Sequence, residues 1–121
     1  VLDKKTKTLW TGDLLFVKRI PALDGSINGW LATIEKLKAI QLNAVIPGHG
    51  PAQYQDWQQA FDAEQHYFST IREQIRTIIN DMGTISDATQ TVGLSEKGKW
   101  LLFDDYHKRN ITAAFTELEW E

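Results

Sequence analysis

Two periods of apolar residues alternate along this chain, one close to two and one close to 3.6. Thr6 to Thr11 is rich in β-branched and aromatic residues and predicts a strand closed by Gly12-Asp13. Val1-Leu2 read like the middle of another strand, an opening expected of a chain cut from something longer. A short apolar piece, Leu14 to Val17, leads into a loop with Lys18, Arg19, Pro21 and Asp24-Gly25-Ser26. Ser26 is placed to cap a helix. Ile27, Trp30, Leu31, Ile34 and Leu37 then recur at helical spacing, predicting an amphipathic helix to about Ile40. Asn43 to Ile46 predict a second strand.

From about Gln53 the helical period returns and lasts longest. Tyr54, Trp57, Phe61, Phe68, Ile71, Ile75, Ile78 and Met82 fall on one face, and Gly83 is placed to end the helix. That aromatic face reads as core. Ser86-Asp87 can cap a short helix closed by Gly93. After the polar loop Ser95–Lys99 and the apolar Trp100–Phe103, Asp104 or Asp105 caps a last helix carrying Tyr106, Ile111, Ala114, Phe115 and Leu118. The expected class is α/β and helix-rich, one domain over residues 1–121. Residues 1–52 form a strand–helix–strand unit and 53–121 a helical part.

Composition removes several functions. The net charge of −3 comes from interspersed acids and bases, so no basic stripe argues for nucleic acid. No apolar run is long enough for a membrane span. Cysteine is absent, which excludes disulfides and thiolates and leaves His, Asp and Glu as the possible metal ligands.

Strand, helix, strand in one sheet leaves the two strands parallel. Both then end at the same sheet edge, where open α/β sheets place their sites. The first ends in Gly12-Asp13 and the second in "PGHG", Pro47 to Gly50. Asp13 and His49 are therefore expected within a metal ion's reach of each other. A carboxylate and an imidazole there suit a zinc-class metal with an open position for water. Gly-Asp after a strand is also a common turn, and a lone histidine is commonly a surface group. His66 and His107 read as structural or exposed. Lys18 and Arg19 are either solvated or placed to meet an anionic substrate.

"TLWTGDLLF" followed by "VIPGHGP" resembles the second half of the metallo-β-lactamase superfamily of metallohydrolases. The resemblance implies the C-terminal half of an αββα sandwich and a dinuclear zinc centre. In it, Asp13 is the bridging ligand and His49 the terminal ligand of the second site. "RIPALDGSINGWL" and "HKRNITAAFTELEWE" look more specifically like the quinoprotein-relay zinc metallohydrolase branch, which implies an exported, periplasmic protein encoded beside quinoprotein dehydrogenases. The family's His-x-His-x-Asp-His motif is missing: the three histidines stand at 49, 66 and 107.

The resemblance therefore implies a hydrolase fragment, acting in its parent on an ester, thioester, amide or phosphoester of a small-molecule substrate. The fragment by itself would be inactive and hold zinc weakly or not at all. A non-enzymatic interaction domain, with Asp13 and His49 as remnants, is the alternative; its partner could belong to a quinoprotein dehydrogenase system. A sheet face left without its other half is expected to be exposed. It would be covered by the missing N-terminal half, a homodimer or a domain exchange.

Overall fold

The computed structural model describes residues 1–121. Three strands form one sheet in the order β1 (Leu2–Asp3), β2 (Thr8–Phe16), β3 (Ala44–His49). β1 runs antiparallel to β2, and β2 runs parallel to β3, as the crossover through α1 (Ile27–Lys38) requires. The helices α2 (Trp57–Asn80), α3 (Ile85–Thr91) and α4 (Phe103–Leu118) follow, with a 3-10 turn over Leu94–Glu96. The fold is α/β and helix-rich.

β2 does not stop at Gly12-Asp13. The register to β3 skips between Trp10 and Gly12 and again between Gly12 and Phe16, where Phe16 pairs with His49. Gly12 has φ +56, so it takes the left-handed conformation a bulge needs and the strand resumes beyond it. The apolar piece at Leu14 is thus the second half of one strand.

The long helix starts later than its apolar period suggests. Gln53 exchanges both backbone hydrogen bonds with Val45, at 2.8 Å each, so residues after Pro51 cover the free edge of β3 before α2 begins. Tyr54 is consequently exposed and lies outside the helix. At the other end Met82, not Gly83, takes the left-handed position, with φ 62. Gly83 N–H closes the motif on the Ile78 carbonyl at 2.8 Å, and a Cβ there would come within 2.6 Å of Ile78 Cγ2. Gly83 is needed for room, and Met82 is left exposed.

Ser26 caps α1 as expected, accepting from Gly29 N–H at 2.9 Å. Two other caps differ. α3 is capped by Thr84 in a reciprocal box with Asp87, which lies inside the helix. α4 begins after Leu102, at φ 61, with Asp104 and Asp105 in its first turn. There the chain must turn sharply, because Leu101 is pinned between Lys18 and Ile20 by bonds of 2.7 and 3.0 Å.

The core forms around α2. Phe61, Phe68, Ile71 and Ile75 are fully buried, with Ile34 from α1, Leu15 from β2, and Ile111 and Ala114 from α4 around them. The opposite face of β2 carries Trp10, which is 54% exposed.

Candidate functional site

Asp13 and His49 meet at the shared end of β2 and β3. His49 Nε2 lies 3.2 Å from Asp13 Oδ1. The approach depends on glycine. A Cβ at Gly48 would collide with the Gly12 backbone, 2.6 Å from its carbonyl carbon, and one at Gly50 would lie 2.7 Å from Val17 Cβ. Val17 N–H donates to the His49 carbonyl at 2.9 Å, which ties the strand ends together. The His49 ring stacks on Phe16, with centroids 4.7 Å apart and planes 10° from parallel.

Arg19 completes the arrangement. Its Nη1 lies 3.1 Å from His49 Nδ1, and its Nη2 donates to Tyr106 Oη at 3.0 Å. Its guanidinium carbon also sits 5.2 Å from the Tyr106 ring centroid, a cation–π contact. Arg19 Nε is buried without a partner. These groups line a cleft of about 370 Å³ together with Asp24 and Arg109.

Lys18 is placed elsewhere. It is exposed, has φ 67, and borders a separate cavity of about 510 Å³ with His66, Glu96, Lys99 and Trp100. Consecutive basic residues thus serve different surfaces, because the chain changes direction between them. His66 is exposed and 3.8 Å from the buried carboxylate of Glu96. His107 is buried and structural: Nε2 meets the Val92 carbonyl at 2.7 Å and Nδ1 the Tyr67 hydroxyl at 2.8 Å.

Two buried polar residues hold the site from behind. Glu64 accepts from Phe16 N–H at 3.0 Å and from Trp30 Nε1–H at 3.3 Å. Burial pushes its pKa up to about 8, against those two hydrogen bonds, which favour the anion. Asn110 accepts from Leu23 N–H at 2.9 Å and donates to the Pro21 carbonyl at 2.7 Å, which fixes the loop after Arg19 onto α4. Glu64 falls on the apolar face of α2, and a charged residue on such a face was the available sign. Tyr106 and Asn110 carried none, because their partners are about ninety residues away in sequence.

Zinc is the metal that the motifs imply. Two donors on a tetrahedral zinc, each about 2.0–2.1 Å from it, stand about 3.3 Å apart, so the Asp13–His49 spacing suits it. The remaining chemistry does not fit. No group of three or more His, Asp or Glu side chains is placed to hold a metal ion, whereas a catalytic zinc keeps about three protein ligands. His49 also has a cation at the nitrogen where a ligating histidine normally has an acceptor. As arranged, Arg19 links His49 to Tyr106 by hydrogen bonds, and the Asp13 carboxylate lies beside the other imidazole nitrogen.

No protein-family model matches this chain, and no curated protein matches it.

Proposed function

We propose that residues 1–121 are the C-terminal portion of a metallo-β-lactamase-like metallohydrolase domain. In it Asp13 would be the bridging and His49 the terminal ligand of a dinuclear zinc centre. The observation that carries this reading is the convergence of Asp13 Oδ1 and His49 Nε2, 3.2 Å apart, at the ends of parallel strands. Two glycines permit that approach. The remaining metal donors would come from polypeptide outside these residues. The quinoprotein-relay branch and a periplasmic location belong to the same proposal and rest on the sequence phrases alone.

The chain by itself would have no hydrolase activity and at most weak zinc binding, since two donors do not complete a catalytic site. Zinc titration by calorimetry, run with esterase and β-lactam assays on the 121-residue chain, tests this. Tight stoichiometric zinc with turnover that a chelator abolishes would mean that a complete site lies within these residues. In the parent protein, Asp13→Ala is expected to lower the occupancy of both metals and His49→Ala mainly that of one. Unchanged metal content in both variants would leave the two as turn residues.

The exposed Trp10 on the uncovered face of β2 favours a second reading, an interaction domain with a remnant site. The parent's sequence before Val1 separates the two: a His-x-His-x-Asp-His element supports the enzyme, and its absence supports the interaction domain.

A further inference from the structure

A neutral imidazole has one N–H and one bare nitrogen, and the partner of each nitrogen decides which is which. Guanidinium has donors only. With Arg19 Nη1 at 3.1 Å, His49 Nδ1 must be the bare, accepting nitrogen. The proton then sits on Nε2, the nitrogen that lies 3.2 Å from Asp13 Oδ1. A ligating histidine has the reverse pattern: one nitrogen gives its lone pair to the metal and the other donates its N–H to a carboxylate, carbonyl or water. The nitrogen that faces Asp13, and would share a metal with it, is therefore the protonated one.

Arg19 is not casually placed. Tyr106 binds it through both hydroxyl and ring, while Phe16 fixes the plane of the imidazole. The pose is not fully satisfied, because Arg19 Nε is buried with no partner. Movement toward the adjoining cleft would relieve that desolvation.

We infer that Arg19 is a positioning residue that fixes His49 as the Nε2–H tautomer and keeps Nε2 closed to a metal until the guanidinium withdraws. Only the metal half of this inference rests on the proposed function; the tautomer follows from the Arg19–His49 hydrogen bond alone.

The experiment is ¹⁵N–¹H correlation of the histidine rings in the 121-residue chain at alkaline pH, where free imidazole is neutral, repeated during zinc titration. Wild type and Arg19→Lys, which retains a cationic donor, should show His49 protonated at Nε2. Arg19→Met should lose that bias, and Arg19→Glu should place a proton on Nδ1. Zinc should then perturb His49 at about 10-fold lower concentration in the glutamate variant than in wild type, the scale on which such outer partners act.

A proton on Nδ1 in wild type, or the same tautomer in wild type, Met and Glu variants, overturns the inference. Should the glutamate variant fail to fold, the methionine variant decides both readouts. Equal zinc response in wild type and the folded variants overturns the metal half. If the tautomers follow Arg19 but zinc moves His49 in none of the proteins, the proposed metal function fails and the tautomer assignment stands.

Discussion

At the scale of single residues, two positions have consequences larger than their size. Gly48 has no room for a methyl group, because the Gly12 backbone occupies the place of its Cβ. Gly48→Ala is expected to destabilise the chain by about 1–3 kcal/mol, the usual cost of overpacking, and to separate Asp13 from His49. Denaturant unfolding measures the first effect. The His49 ring signals, changing with it, measure the second. Glu64 gives a pH dependence with a definite sign. Its pKa is about 8 in the folded chain, against 4.5 for the ordinary group. The folded state therefore binds the proton more tightly, so this contribution is fully present below about 4.5 and is lost as pH rises through about 8. Stability should fall across that window by at most about 1.4 kcal/mol per pH unit, and Glu64→Gln should flatten the slope. His107 works in the opposite sense. Burial lowers its pKa from 6.5, so stability falls as pH drops below that value. A Glu64→Gln profile as steep as wild type between pH 4.5 and 8 would rule out Glu64 as the source.

At the scale of elements, distant residues finish what local sequence begins. The first turn of α1 is capped by Ser26, yet Glu117 near the end of α4 also accepts from Ile27 N–H at 2.7 Å and from the Ser26 hydroxyl at 2.8 Å. A carboxylate at a helix N-terminus opposes the dipole and satisfies free backbone donors. Glu117→Ala should cost about 1–2 kcal/mol, and amide exchange should show it as faster opening of residues 27–29. Exchange there equal to wild type would make Ser26 a sufficient cap. The start of α2 shows the converse. Its apolar period runs back to Tyr54, but Gln53 is committed to β3, and strand pairing sets the boundary.

At the scale of the molecule, the sheet is covered on one face by α1 and α2 and leaves Trp10 open on the other. An exposed aromatic on a three-stranded sheet is a pairing liability. The chain is expected to self-associate in sedimentation experiments, and Trp10→Lys should shift it toward monomer. Monomeric behaviour of the wild-type chain over a wide concentration range would show that this face needs no cover.

Periodicity and turn chemistry alone determined the α/β order, the parallel β2–β3 pair and the meeting of Asp13 with His49. These follow from local propensity and one topological rule, which act over short stretches of chain. The aromatic face of α2 was legible for the same reason: five of its residues (Trp57, Phe61, Phe68, Ile71 and Ile75) are buried. Tertiary structure decided the rest. Whether β2 stopped at Gly12 depended on β3 lying close enough to pair with Phe16 beyond the bulge. Whether Lys18 and Arg19 acted together depended on Leu101 bonding the chain on either side of Arg19, at Lys18 and Ile20. The state of His49 depended on Arg19 being held by Tyr106, eighty-seven positions further along the chain. Composition and spacing can bring two side chains to one sheet edge, but proton position depends on which third and fourth groups the packed chain places against them.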